Sequence, residues 1–129
     1  MYQRNELLTG WGRTAASAAT VALPAPGEDP RVALESVVRD PHRSARGLVA
    51  RGLGRSYGDS AQNGGGLVLK LPSGGLLLDS DSGTLTAEAG TSLDEILRVI
   101  VPQGWFVPVT PGTRYVTVGG AIAADIHGK

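Results

Sequence analysis

Arg51-Gly52-Leu53-Gly54-Arg55-Ser56-Tyr57-Gly58-Asp59 carries the densest chemical signal in the chain: glycines, arginines and a serine hydroxyl directly after a short apolar run, Leu48-Val49-Ala50. Glycines at this spacing let the backbone turn sharply and let a ligand come close to main-chain N–H groups, which is how phosphate is cradled. The dinucleotide fingerprint GxGxxG is the first comparison. Here the third glycine falls one residue late, giving GxGxxxG, no amphipathic helix follows, and 60–66 continues as loop. A phosphate at this place would be held by consecutive backbone N–H groups in a nest, assisted by the Ser56 hydroxyl. Magnitudes favour several donors: a helix dipole supplies at most ~2 kcal/mol, micromolar binding needs about 8 kcal/mol, and a hydrogen bond to a charged group contributes roughly 1.5–3 kcal/mol. The other reading of the same residues is an ordinary glycine-rich turn.

A second glycine-centred segment, Pro111-Gly112-Thr113-Arg114-Tyr115-Val116-Thr117-Val118-Gly119-Gly120, ends where a helix of small residues begins. The pair of segments suits an extended dinucleotide; the alternative for the second is a Pro-Gly turn and a close-packed helix start. Asp125-Ile126-His127-Gly128-Lys129 offers neither a metal site nor a P-loop, because Ala123 stands where a P-loop needs glycine and no ligand cluster accompanies His127. His42, between Pro41 and Arg43, reads as a solvated surface residue. Trp11, Trp105 and Phe106 read as core or subunit-packing residues. Tyr57 reads either as a lining of a flat ligand or as a packing residue.

The elements that must position these loops follow from pattern. Asp29 is an N-cap and Pro30 a first helical residue, with Val32, Leu34, Val37 and Val38 as the apolar positions and Pro41 as the stop. Residues 48–50 read as a buried strand, and 67–71, 76–79 and 84–89 as three more, whose close spacing favours antiparallel hairpins. Ser92 and Glu95 form a capping box for a helix with Leu93, Ile96, Leu97, Ile100 and Val101 on one face, ended by Pro102 and Gly104. A last helix spans 117–125, its small residues fitting an N-terminus packed close to a ligand or strand. The class is α+β with small mixed sheets and flanking helices.

Composition sets the outer bounds. The 129 residues contain 19 glycines and 8 prolines, implying many turns, and 12 basic against 12 acidic residues, which gives no electrostatic footprint for nucleic acid or an anionic membrane. Without cysteine there is no disulfide, thiolate metal site or cysteine nucleophile. Neither a signal peptide nor an apolar run near ~18 residues is visible, so the expected location is cytoplasmic or peripheral at the membrane.

Three segments, ARGLGRSYGDSAQNGGG from Ala50, AGTSLDEIL from Ala89 and PGTRYVTVGGAIAADIHGK from Pro111, together with LTGWGRT from Leu8, closely resemble the decaprenylphosphoryl-β-D-ribose 2'-oxidase family within the vanillyl-alcohol oxidase and p-cresol methylhydroxylase superfamily. The resemblance covers nearly the whole chain in the right order. It implies that 1–129 is the N-terminal part of an FAD-binding domain of the p-cresol methylhydroxylase type. It also implies FAD contacts from Ala50, Arg51, Gly52, Leu53, Gly54, Arg55, Ser56, Tyr57, Gly58, Asp59 and Ser60, from Gly112, from Thr117, Val118, Gly119 and Gly120, and from Ala124, Asp125, Ile126 and His127. Arg55 stands where members with covalent flavin often have a linking histidine, which implies non-covalent FAD.

The family oxidises the 2'-hydroxyl of a lipid-phosphate-linked ribose by hydride transfer to flavin, the first half of an epimerisation completed by a partner short-chain reductase for cell-wall arabinan. Its substrate domain and catalytic lysine would lie beyond Lys129, so no catalytic residue is assigned within the chain. The 129 residues alone are expected to be a truncated piece that binds FAD weakly and shows no turnover. The competing readings are an FAD-dependent alditol or aldonolactone oxidase and a non-catalytic nucleotide-binding module.

Overall fold

A computed structural model describes residues 1–13, 15–40 and 45–128; the expected helix stop at Pro41 and the surface reading of His42 lie outside them. The chain divides into two compact units, Met1–Leu71 and Pro72–Lys129.

The first unit is built on a four-stranded sheet in the order β1-β2-β4-β3, with β1 at Tyr2–Leu8, β2 at Ser17–Leu23, β3 at Leu48–Ala50 and β4 at Leu67–Leu69. β1 and β2 are an antiparallel pair, whereas β4 runs parallel to both β2 and β3. The strand expected at 67–71 therefore forms no hairpin with the next one. Leu67, Val68 and Leu69 are all buried, as expected of a central parallel strand covered on both faces. Alternation sends Val21 and Val68 to one face with Leu8, Ala19 and Val49, and Ala22, Leu67 and Leu69 to the other with Val37 and Leu34. The latter face is covered by α1, Pro30–Val38, capped as expected by Asp29. It buries Ala33 and Val37 and half-buries Leu34 rather than the full apolar set, since Val32 and Val38 are exposed.

β3 and β4 are parallel neighbours, so the chain between them must return the length of the strands and cannot use a tight turn. A helix usually makes this return; here the irregular segment 51–66 makes it. It leaves where Arg51 N donates to Leu69 O (2.8 Å) and re-enters where Leu67 N donates to Gly47 O (3.2 Å). The loop thus emerges at the carboxyl ends of parallel strands, the edge at which open α/β sheets meet their ligands.

The second unit contains the antiparallel hairpin β5–β6, Leu77–Asp79 with Thr84–Thr86, then α2 at Leu93–Ile100 and α3 at Val118–Ala123. Here the expected hairpin forms. α2 buries Leu93, Ile96 and Ile100 against Leu78, Leu85, Val107 and Val116 among others, at about 1.5–3 kcal/mol per large side chain. Pro102 does not stop the chain at once: Val101–Gln103 tighten into a 3-10 turn before Gly104. Trp11, Trp105 and Phe106 are not core residues; they are 53%, 37% and 63% exposed.

The capping box at the start of α2 is complete. Ser92 Oγ accepts from Glu95 N (3.1 Å), and Glu95 Oε2 accepts from Ser92 N (2.8 Å) and Ser92 Oγ (2.7 Å). Ser73 Oγ donates to the other carboxylate oxygen (2.7 Å). Hydrogen bonds from Ser73 and Ser92 hold the Glu95 carboxyl at about 2. A carboxyl depressed in the folded state contributes stability above its unfolded pKa, near ~4.3, and loses it as pH falls through the folded value. Ser92→Ala is therefore expected to cost about 1 kcal/mol at neutral pH. Thermal melts should show that penalty shrinking between about pH 4.5 and pH 2; a penalty independent of pH contradicts the assignment to Glu95.

Candidate cofactor-binding site

The loop 51–66 is pinned at its back and open at its front. Asn63 Nδ2 donates to Gly47 O (3.0 Å), Gly65 N to Ala18 O (2.8 Å) and Gly66 N to Asn63 O (2.9 Å), all at the end that re-enters the sheet. Among the described residues, by contrast, the amides of Gly52, Leu53, Gly54, Ser56, Tyr57, Gly58, Asp59 and Ser60 donate no hydrogen bond. Such a run of N–H groups is what a multi-donor anion cradle requires. Leu53, Tyr57, Gly58, Asp59 and Ser60 are exposed, and Tyr57, at 80%, is no packing residue.

The shape of the loop is held by Arg51. Its Nη2 donates to Thr9 O (2.7 Å) and its Nη1 to Ala61 O (2.8 Å), and burial pulls the guanidinium below its ordinary value against the pull of Glu6. Gly54 adopts φ +69°, and a Cβ there would run into this guanidinium, with Cζ at 2.9 Å. The left-handed backbone is what favours glycine here, and any side chain would also have to displace the Arg51 guanidinium. From the other side the turn after β1 presses on the loop: Trp11 N donates to Ser56 O (2.7 Å), and the Arg55 guanidinium lies over the Trp11 ring, 4.5 Å from its centroid. Sequence reasoning gave Trp11 a packing role and did not single out Gly10 or Gln62; a glycine within a polar turn was the one available signal.

The second segment is arranged differently. Val118 N donates to Thr91 O (2.8 Å), Gly119 N to Ala89 O (2.8 Å) and Gly120 N to the Thr117 hydroxyl (3.0 Å). The first amides of α3 are consumed within the unit, so the close approach of its N-terminus is to its own backbone. Thr117 is buried, while Gly112, Ala124, Asp125 and His127 are exposed and Ile126 packs on the α2 cluster. Asp125 takes φ +46°, turning the chain out of α3, and His127 Nδ1 lies 3.2 Å from Asp125 O. Around this turn Ile122, Ala123, Ala124, Asp125 and His127 are exposed, while the first amides of α3 are not free.

The open amides of 52–54 and 56–60 and the close-packed glycine behind them fit a pyrophosphate-bearing cofactor. Residues 31–129 match the family described as FAD binding domain, and the chain belongs to it. It is 52% identical over 124 residues to decaprenylphosphoryl-beta-D-ribose oxidase of Mycolicibacterium smegmatis, covering 95% of this chain and 26% of that protein. An uncharacterized protein in the mprA 5' region of Streptomyces coelicolor is 54% identical over 37 residues, 29% of this chain and 10% of its own length. Among solved structures, a histidine-to-alanine mutant of cholesterol oxidase from Brevibacterium sterolicum superposes with a TM-score of 0.68 at 15% identity, over 98% of this chain and 25% of that one. The fold is the α+β, p-cresol methylhydroxylase-type FAD-binding fold, the cofactor is FAD, and the chain spans about a quarter of the length of the M. smegmatis relative.

Proposed function

We propose that this chain is the N-terminal FAD-binding part of an oxidoreductase that converts the 2'-hydroxyl of decaprenylphosphoryl-β-D-ribose to the 2'-keto sugar. The observation that carries this reading is the set of undonated amides at 52–54 and 56–60, in a chain 52% identical to an oxidase of that name over 95% of its length. Those amides and the Ser56 hydroxyl would hold the FAD pyrophosphate, each bond to a charged oxygen contributing roughly 1.5–3 kcal/mol. Val118, Gly119, Gly120 and 124–126 would supply contact surface rather than N–H donors, while Gly112, Thr117 and His127 retain amides that donate to no described residue. The cofactor, when bound, supplies the hydride acceptor for the sugar carbon. The base for the hydroxyl proton and the substrate-binding residues are assigned to the part of the relative that this chain does not span. A partner reductase of the short-chain type would consume the ketone, and a lipid-linked substrate would bring the enzyme to a membrane surface; no helix among the described residues is long and apolar enough to cross one.

The flavin is non-covalent in this reading, because Arg55 offers a guanidinium stacked on Trp11 and no nucleophile for a flavin linkage. Acid precipitation of the FAD-loaded protein is expected to leave the yellow colour in the supernatant, and colour kept in the pellet contradicts it. The substrate is tested by anaerobic mixing of the FAD-loaded, relative-length polypeptide with decaprenylphosphoryl ribose, which should bleach the flavin absorbance. Bleaching by free alditols or aldonolactones but not by the lipid-linked sugar would sink the substrate assignment, and a protein that never takes up flavin would sink the enzyme reading itself.

A further inference from the structure

The turn between β1 and β2 lies outside the segment matched by the FAD-binding family, 31–129, yet it meets the loop 51–62 at four points. Arg51 Nη2 donates to Thr9 O (2.7 Å), and Trp11 N donates to Ser56 O (2.7 Å). Gln62, with its amide oriented to satisfy both ends, donates to Leu8 O (3.1 Å) and accepts from Gly10 N (2.8 Å). Gly10 is buried, and a Cβ there would overlap the Gly58 carbonyl and come within 2.9 Å of Ser56 O. Each contact falls on the backbone or on a side chain that turns away from the open front of the loop.

We propose that the 8–11 turn is a buttress that sets the shape of the phosphate loop, with Gly10 and Arg51 acting as positioning residues for FAD rather than as its ligands. This inference rests on the reading of 52–60 as the pyrophosphate site. The physical ground is that the loop has no helix to stiffen it, so its amides converge only if something outside it fixes the path of 56–58. Arg51 commits one donor of Nη1 to Ala61 O and one of Nη2 to Thr9 O, and its guanidinium lies against Gly54, so the side chain is fixed in place behind the loop. A half-buried guanidinium so used is a cross-tie between strands that are distant in sequence.

The test compares FAD dissociation constants of wild type, Gly10→Ala and Arg51→Lys across a range of ionic strength, with thermal melts of each. Both variants should bind FAD roughly 10- to 100-fold more weakly, the equivalent of one lost bond to a charged group. Gly10→Ala changes no charge, and Arg51→Lys keeps one. The dependence on salt should therefore match wild type, while FAD binding no longer produces the wild-type change in Trp fluorescence at the Trp11–Arg55 pair. A Gly10→Ala variant with unchanged affinity overturns the buttress, as does Arg51→Lys binding as tightly as wild type. Global unfolding of both variants also overturns it, because the residues would then hold the sheet and not the loop. Failure of wild type to bind FAD overturns instead the reading on which the inference rests.

Discussion

Gly54→Val is expected to leave the protein without retained flavin after gel filtration, with a thousandfold or greater loss of FAD affinity. Gly54 sits at φ +69°, where a β-branched residue costs roughly 1–3 kcal/mol. The new side chain would also collide with the Arg51 guanidinium that ties the loop to Thr9 and Ala61. Relief requires either the loop to swing outward or Arg51 to abandon its carbonyls, and both disperse the amides of 52–60. Losing two or three bonds to charged oxygens, at roughly 1.5–3 kcal/mol each, accounts for the size of the effect. The sheet beneath should survive, since β4 and its neighbours bury their side chains away from this position. A folded Gly54→Val protein that keeps stoichiometric FAD would refute the phosphate-loop assignment.

The largest effect on stability is expected at a residue with no place in the chemistry. Thr91 is fully buried, and its Oγ1 accepts from Gly74 N (2.9 Å) and donates to Gly74 O (3.1 Å), closing the chain onto itself at the start of the second unit. Its carbonyl also receives Val118 N, the first amide of α3. Thr91→Val preserves shape but strips both bonds from a partly buried peptide, at about 1–3 kcal/mol per orphaned group. A loss of about 2–4 kcal/mol should lower the melting temperature by about 10 °C or more in a unit of this size. Thr91→Ser, which keeps the hydroxyl, should recover most of it; equal melting temperatures for the Val and Ser variants would show that the hydroxyl bonds contribute nothing.

What could be read from sequence was local. Asp29 before Pro30, and Ser92 three residues before Glu95, announce helix starts because capping is satisfied within a few residues of chain. The glycines of 51–66 and the absence of a following helix were legible for the same reason. β1 and β2 were not: Tyr2–Leu8 is a mostly exposed strand with Arg4, Asn5 and Glu6 in its middle, and Ser17–Leu23 is rich in alanine, which has little strand preference. Parallel pairing of β4 with both β2 and β3 was also invisible, because register between distant strands leaves no nearby pattern. For Arg51 the resemblance implied an FAD contact, and nothing in the motif announced its role as a tie across the sheet. Its actual acceptor, Thr9 O, is 42 residues away. Likewise, the small residues opening α3 left open whether its N-terminus packs on a ligand or on the protein's own backbone, and the carbonyls of Ala89 and Thr91 claim its amides.

The central claim, that the amides of 52–60 hold the cofactor, is tested most directly by amide-resolved hydrogen exchange on the protein with and without saturating FAD. Slowed exchange should concentrate at Gly52, Leu53, Gly54 and 56–60, the amides that donate to no described residue. Val118, Gly119 and Gly120, already bonded within their own unit, should change little. FAD binding that protects the α3 amides while leaving 52–60 exchanging at the free-protein rate would contradict the account.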